Sequence, residues 1–287
     1  LELGSVTDAR VEGVDVVEAG SKGVFLVGSE VRLADVRVDG YGDSGIDVLD
    51  RTRPPRDVTA VVVDGFVVRN PTDPAPSVEA VAVPADDVTL RNGRIVGGFR
   101  GLFSGLSEEN LTVANVTVAG VRTGVYVADV DAETTLREVT VRNATGDAVV
   151  LEAAGAGEGT FEDLTVSNPG GAAVNVTAGP IRLDNLTTDG GRVSAVVRRA
   201  ALLEPAGTPA TGERIRVAAV GFEPVPTGTS AVDLAVPYDP ARVDESTVAL
   251  YRAGQFQWTR VADATVNRNV DLVTANLTTA GTYSVQG

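Results

Sequence analysis

The chain has 287 residues, is 43% hydrophobic and carries a formal net charge of −15. Such an acidic surface repels nucleic acid and anionic lipid, so we expect no nucleic-acid partner. No apolar run has the length of a transmembrane helix, so we expect no direct membrane span. Cysteine, histidine and methionine are absent. Their absence excludes disulfides and catalysis by Ser-His-Asp or Cys-His groups, and it removes the usual ligands of soft metals.

The acidity also bears on the environment of the protein. The basic residues are almost all arginine, with Lys22 as the single lysine. Acidic surfaces with little lysine are typical of halophile proteins, whose carboxylates keep a hydrated surface in concentrated salt. An ordinary acidic secreted protein is the alternative.

Ten-residue units with a common pattern follow one another through the first two thirds of the chain. They begin at positions 4, 31, 61, 88, 111, 134, 159 and 181. The third, sixth and eighth residues are mostly apolar, the fifth is mostly Asp or Asn, and the tenth is always Gly or Asn. Successive starts are 22 to 30 residues apart, which is the repeat length of a solenoid.

The pattern within each unit predicts one coil of a parallel β-helix. Period-two alternation is interrupted by a bend at the fifth residue, and most units are followed by a second short strand, as at residues 45–48 and 124–127. Asn92, Asn115 and Asn185 stand at that bend because Asn tolerates a left-handed backbone. We expect them to point inward and to form an amide ladder. Antiparallel hairpins remain the alternative.

These units resemble the coil repeats of right-handed parallel β-helix proteins of the pectin-lyase-like group. The resemblance covers roughly residues 1 to 200. It implies an all-β fold, with a right-handed parallel β-helix of about eight coils. The same coil serves polysaccharide lyases and hydrolases, viral tailspikes, adhesins and surface scaffolds, so the resemblance leaves the activity open.

The residue composition and the spacing of apolar residues change after residue 200. Residues 201–213 are rich in Pro, Gly and small residues and predict a linker. Residues 214–287 contain short alternating segments separated by turns, which predict a small antiparallel β-sandwich domain with Trp258 in its core. Its "YDP" and "ALYR" segments and its final "GTYSV" resemble the C-terminal β modules of secreted haloarchaeal surface proteins.

Glycosylation signals agree with an exposed, extracellular location at the cell surface. Six Asn residues are each followed two positions later by Thr, with a residue other than Pro between them. Asn115 and Asn185 are expected to point inward, where a glycan has no room. The better glycosylation candidates are Asn110, Asn143, Asn175 and Asn276.

The outer face of the second strand is the place to look for carbohydrate chemistry. Aligning the units places Phe25, Asp47, Glu79, Phe103 and Tyr126 in one outward column, with Val149 after them. Asp47 and Glu79 are the catalytic candidates, because neighbouring coils about 4.8 Å apart would give the carboxylate spacing of a retaining glycosidase. Phe25, Phe103 and Tyr126 are the candidates for stacking on sugars. Solvated carboxylates and interface aromatics are the alternative interpretation.

No cofactor is required by the sequence, although hard oxygen ligands make calcium a candidate. Asp39 and Asp43 lie in one acidic turn, and Asp129 and Asp131 lie in another. Neither segment matches a known calcium loop, and solvated turn acids are the alternative.

The first unit leaves no room for a capping helix before it. Either preceding residues or another subunit must therefore cover the first coil, and we expect head-to-tail self-association into a filament or surface layer. The sequence thus predicts an extracellular structural or adhesive protein, with polysaccharide or a surface layer as further partners. A polysaccharide lyase, a glycoside hydrolase or a carbohydrate-binding module is the alternative, and a viral tail or spike protein is a third possibility.

Overall fold

All regular elements in the described part of the chain are β-strands. The computed structural model describes residues 1–48, 60–72, 78–105, 110–153, 159–203, 216–224 and 230–287. Over these ranges it contains 24 strands, and no helix there has the length and apolar character of a membrane span.

The strands of the first two thirds are β1 (Glu2–Ala19), β2 (Lys22–Tyr41), β3 (Ser44–Val48), β4 (Val61–Pro71), β5 (Glu79–Ala82), β6 (Val88–Val96), β7 (Arg100–Ser104), β8 (Leu111–Ala119), β9 (Thr123–Val130), β10 (Thr135–Arg142), β11 (Val149–Ala153), β12 (Thr160–Glu162), β13 (Thr165–Ser167), β14 (Val174–Ala178) and β15 (Pro180–Thr188). The remaining strands are β16 (Gly191–Arg198), β17 (Ala200–Leu203), β18 (Arg216–Pro224), β19 (Ala231–Pro237), β20 (Ala249–Ala253), β21 (Trp258–Arg260), β22 (Thr265–Asn267), β23 (Leu272–Leu277) and β24 (Gly281–Gln286).

Two parallel stacks of strands wind around one core, which confirms the parallel β-helix. The long strands pair in the order β1, β2, β4, β6, β8, β10, then β12 with β13, then β15. The short strands pair in the order β3, β5, β7, β9, β11 and β14, with the start of β2 against β3. Eight long rungs are joined by about seven turns. The predicted number of eight therefore corresponds to the long rungs and not to the turns that join them.

The predicted register holds for seven units and is wrong for the first. Val61 pairs with Val88 and Val88 with Leu111, as the unit starts require. Val31, however, pairs with Ala9, five residues after the predicted start at Gly4. The reason is that β1 is 18 residues long and carries both a short-strand and a long-strand segment, so its alternation fits two frames.

The bend at the fifth residue has the expected left-handed backbone. The φ angle is 56° at Asn92, 51° at Asn115, 58° at Asn185 and 71° at Gly65. Part of the amide ladder is present, because Asn115 Nδ2 donates to Asn92 Oδ1 at 2.9 Å and Asn92 Nδ2 donates to Asp64 Oδ1 at 2.8 Å. Among the described residues no such bond joins Asn185 to it. The side chains at the bend point outward rather than inward as predicted, since Asn115 and Asn185 are exposed to solvent. The bend points the side chain away from the core, so the glycan argument against these two residues fails.

Glycines at the start of the short strands let the two stacks approach each other. A Cβ built on Gly45 would lie 2.2 Å from Val68 Cγ1, and one built on Gly124 would lie 2.4 Å from Val141 Cγ1. Both valines are fully or almost fully buried. The missing side chain therefore makes room for the long-strand valines of the core.

After β15 the pairing changes from parallel to antiparallel on both stacks. β15 is followed in its sheet by β16, β19, β23 and β22, the first antiparallel set. β14 is followed by β17, β18, β24, β20 and β21, the second antiparallel set. The last coil is therefore covered by strands of the same chain.

The structure places part of the predicted linker in a strand. Residues 201 to 203 belong to β17, which pairs with β14 and β18, whereas residues 204–213 lie outside the described residues. A separate sandwich domain over residues 214–287 stays a prediction. Trp258 is half-buried and carries the Arg216 guanidinium 5.8 Å from its ring centroid, so it is not the fully buried anchor that we expected.

Candidate functional site

The short strands form one outer face, which we call the short-strand face. Its outward row, called the outer row below, follows the strand register. Its members are Phe25, Asp47, Ala82, Phe103, Tyr126, Val150 and Asn175. Four of the expected residues are therefore aligned, namely Phe25, Asp47, Phe103 and Tyr126.

Two predicted members of this row are misplaced. Ala82, not Glu79, follows Asp47 in the register, and Val150 replaces Val149, whose side chain is buried in the core. Glu79 lies three residues earlier on β5, where it pairs with Ser44 and Arg100. Asp47 and Glu79 thus occupy different rows and are not the directly stacked carboxylate pair of the prediction.

Asp47 is a buried carboxylate with a cationic partner. Its side chain forms a salt bridge with Lys22, and the residue is only 5% exposed. The Lys22 Nζ atom also lies 4.5 Å from the centroid of the Phe25 ring. Because a buried charge is costly unless it is paired, the salt bridge with Lys22 offsets the cost of burying Asp47 on this face.

Glu79 is held in a similar way by Arg100. The Arg100 Nη1 atom lies 3.0 Å from Glu79 Oε1 across neighbouring coils. Burial raises the pKa of Glu79, Arg100 opposes that rise, and the charges of Asp47 and Asp43 add to it. The two candidate carboxylates therefore influence each other electrostatically, although each has its own basic partner.

Phe103 and Tyr126 form a stacked aromatic pair on consecutive coils. Their ring centroids are 5.7 Å apart with an interplanar angle of 28°. The Arg100 guanidinium lies 4.7 Å from the Phe103 centroid and 5.0 Å from that of Tyr126. The Tyr126 hydroxyl donates to Glu152 Oε1 at 2.9 Å. The pair is therefore fixed in orientation by charged neighbours on both sides.

Tyr126 keeps its proton well above neutral pH. Burial raises its pKa, and the hydrogen bond to Glu152 and the charge of that carboxylate raise it further. A second cation and ring lie at the edge of the same face, where the Arg122 guanidinium is 4.9 Å from the Phe99 centroid. The face thus offers aromatic surfaces, fixed donors and fixed acceptors, which are the groups that recognise hydroxylated ligands.

The calcium candidates have other partners or lie apart. Asp39 is bound by Arg69 and Asn70, and Asp131 Oδ1 accepts bonds from the backbone N–H groups of Glu133 and Thr134. Asp43 is exposed, and the side chain of Asp129 is not among those described. Within the described ranges no group of three acidic side chains is arranged to hold a metal ion. A calcium site stays a prediction.

The four glycosylation candidates differ in accessibility. Asn110, Asn143 and Asn276 are exposed, whereas Asn175 is half-buried in the outer row. Asn175 Nδ2 donates to Asp147 Oδ2 at 2.8 Å. The Nδ2 atoms of Asn110 and Asn276 are engaged in the same way, by Asp87 and Asp233. Burial is therefore what distinguishes Asn175.

Sequence reasoning missed Lys22 and Glu152 as partners on this face, and it did not pair Arg100 with Glu79. Lys22 is 25 residues from Asp47, and Glu152 is 26 residues from Tyr126. Arg100 is 21 residues from Glu79. These separations are close to one repeat, so a search for charged residues at the repeat length would have found all three contacts.

Comparison with known proteins adds little to this geometry. The chain matches no protein-family model and no curated protein. Among solved structures it is similar to the Dettilon tailspike protein, with 11% sequence identity and a TM-score of 0.25, over 99% of this chain and 73% of the tailspike chain.

Proposed function

We propose that the protein is an extracellular structural or adhesive protein of the cell surface, whose short-strand face binds a polysaccharide. The observation that carries the proposal is the Phe103–Tyr126 stack with Arg100 against both rings. Aromatic rings stack on the apolar faces of sugars, while fixed charged groups bind their hydroxyls. The rigid rod below this face keeps the rings in position without a cost in ordering on binding.

The charge pattern of the face favours binding over turnover. Asp47 is paired with Lys22 and Glu79 with Arg100. A retaining glycosidase uses one free carboxylate as nucleophile and one protonated carboxyl as acid, about 5 Å apart. Two separate ion pairs do not supply that combination, whereas they do supply fixed donors and acceptors.

A polysaccharide panel tests the proposal. Neutral and acidic polysaccharides are titrated into the purified protein by calorimetry, together with the Phe103→Ala and Tyr126→Ala variants. We expect each variant to weaken binding about tenfold, which is ~1.4 kcal/mol. Phe256→Ala is the matched control, because Phe256 is 85% exposed and lies between β20 and β21, several strands along the stack from β9. Equal binding by all four proteins, or none by any, would overturn the proposal.

A polysaccharide-active enzyme is the second candidate, favoured by one observation. Glu79 has a pKa raised by burial, as a general acid requires. Release of reducing or unsaturated ends from the bound polysaccharide, lost in Asp47→Asn and in Glu79→Gln, would support the enzyme. Unchanged polymer with the parent protein would leave the binding function.

Self-association is a separate proposal and rests on β1. Among the described strands β1 pairs only with β2, and Val17 at its end is 65% exposed. An unpaired edge of this length is a template for another strand. The last coil is covered by β16 and β17, so a head-to-tail contact would join β1 to the outer strands β21 or β22. Particle mass measured in low and high salt tests the association, and a strictly monomeric protein at high concentration would contradict it.

A further inference from the structure

A cluster of three arginines lies away from the short-strand face, in a cleft between the two antiparallel sets. The cleft has a volume of about 430 Å³ and is lined by Arg192, Arg216, Pro237, Tyr238, Asp239, Arg242 and Val243. Its volume falls in the lower part of the range for small-molecule sites. Three arginines around one cleft are unexpected in a chain with a net charge of −15.

The arginines of the cleft come from three different elements. Arg192 lies in β16 and Arg216 begins β18, so the two antiparallel sets each contribute one. Arg242 lies in the turn after β19. Arg192 and Arg242 are exposed and form none of the salt bridges found among the described residues, while Arg216 is steadied by the Trp258 ring at 5.8 Å. Asp239 is the one acid among the described lining residues, and its Oδ1 atom accepts from the Ala241 N–H at 2.9 Å.

Tyr238 supplies part of the lining, but its hydroxyl is enclosed by the protein. The residue is only 6% exposed, and its Oη atom is buried without a hydrogen-bond partner among the described residues. Burial raises the pKa of Tyr238, and the charges of Glu245 and Asp271 raise it further. The hydroxyl therefore keeps its proton, and the ring is the part of Tyr238 that can face the cleft.

Gln286 is a second buried side chain without a hydrogen-bond partner among the described residues. It pairs with Arg216 across β18 and β24, but it does not line the cleft. The cleft itself thus offers two guanidinium groups that form no ion pair with described residues, beside the apolar surfaces of Pro237 and Val243.

We infer that this cleft binds an organic acid of monosaccharide size, with sugar acids as the ligand class. Guanidinium groups match the planar geometry of a carboxylate and bind it through paired hydrogen bonds. Arg192 and Arg242 hold the carboxylate of the ligand. Pro237 and Val243 supply the apolar surface against which a sugar ring packs. The site is separate from the short-strand face, so the presence or absence of polysaccharide binding there does not decide whether this cleft binds a sugar acid.

Titration of three small probes tests the inference. Sodium glucuronate, neutral glucose and inorganic sulfate are titrated into the full chain by calorimetry. We expect glucuronate to bind at least tenfold more tightly than glucose, because glucose lacks the carboxylate, and more tightly than sulfate, which lacks the ring. Equal binding of glucose and glucuronate would overturn the charge recognition. Equal binding of sulfate would overturn the assignment to sugar acids, and no binding of any probe would overturn the site.

Substitutions locate the binding. Arg192→Gln and Arg242→Gln should each weaken glucuronate binding at least tenfold. Arg137→Gln is the control, because Arg137 is an exposed arginine on β10 and its loss changes the net charge equally. Tyr238→Phe should leave glucuronate binding unchanged and the thermal midpoint unchanged or raised, since it removes a buried hydroxyl that has no partner among the described residues. Glucuronate binding that survives both arginine substitutions would contradict the inference.

Discussion

Phe66 on one coil occupies the space that a side chain at Gly93 would need on the next. The two residues are directly paired between β4 and β6. A Cβ built on Gly93 would lie 2.1 Å from Phe66 Cζ, and Phe66 is only 2% exposed. Both residues stand at the sixth position of their units, where most coils have Val or Leu. The large side chain of Phe66 thus fills the volume that two medium-sized side chains would otherwise occupy at these two positions.

The Gly93→Ala variant should therefore be destabilised. Overpacking of a closed core costs about 1–3 kcal/mol, and we expect a loss of that size in the free energy of unfolding measured with urea. Gly4→Ala is the control, because a Cβ at Gly4 would have no other atom within 4 Å. Phe66→Val combined with Gly93→Val should recover most of the stability lost in Gly93→Val alone. Additive effects in this double-mutant cycle would disprove the shared volume.

The Asn ladder predicts a graded loss of stability at position 92. Asn92 accepts from Asn115 at 2.9 Å, donates to Asp64 at 2.8 Å and has a φ of 56°. Asn92→Gly removes the hydrogen bonds and keeps the backbone angle, so we expect a loss of about 1 kcal/mol. Asn92→Ala adds left-handed strain, for a total of about 2 kcal/mol. Equal losses in urea unfolding would show that the backbone angle carries no cost at this bend.

Acid should weaken the rod through Asp39. Hydrogen bonds from Arg69 and Asn70 hold the pKa of Asp39 below its ordinary value of 3.8. A lowered carboxyl pKa contributes stability above the unfolded value, and that stability is lost as the pH falls through the folded value. The urea midpoint should thus drop below about pH 4. Asp39→Asn should be less stable than the parent at neutral pH and should approach it at pH 2.

Salt provides the check on this interpretation. The Asp39 side chain is partly exposed, so concentrated salt should screen its interaction with Arg69 and reduce the difference between Asp39→Asn and the parent at neutral pH. Parallel stability curves for the two proteins from pH 7 to pH 2 would show that this carboxylate is not responsible for acid sensitivity.

Glycan occupancy should follow side-chain access. Asn143 is exposed, and its Oδ1 accepts from Asn168 at 3.3 Å, so its nitrogen is not held by that bond. Asn175 is half-buried with its nitrogen bonded to Asp147. We expect peptide mass spectrometry of the native protein to find glycan at Asn143 and none at Asn175. A glycan at Asn175, removed by Asn175→Gln, would contradict the accessibility argument.

The repeat pattern is sufficient to predict the winding, because each coil repeats the same inward positions. The third and eighth residues of successive units, such as Val113 and Val118, are buried as the alternation requires. The predicted frame of the first unit is wrong because Val6 and Val11 fit one frame while Val11 and Val16 fit another. Only the pairing of β1 with β2 decides between the two frames.

The short-strand face is predicted less well, and the reason is physical. Ala80, Val81 and Ala82 are all buried and small or apolar, so alternation gives no unique register for β5. A shift of register moves every side chain of a strand to another row, which is why alignment of the units puts Glu79 beside Asp47. The arginine cleft has no sequence signal, because its residues come from separate turns and strands that meet only in the folded chain.

The reversal of direction at β16 and β17 has a consequence for how such rods change in length. From β6 through β8 to β10 the register advances by the same 23 residues at each step. If one of these windings were removed or duplicated, each remaining strand would still pair with a strand of the same pattern. The terminal antiparallel strands would stay attached to the same final rung. The length of the molecule can therefore change by one winding at a time without any change in the antiparallel strands that cover its last coil.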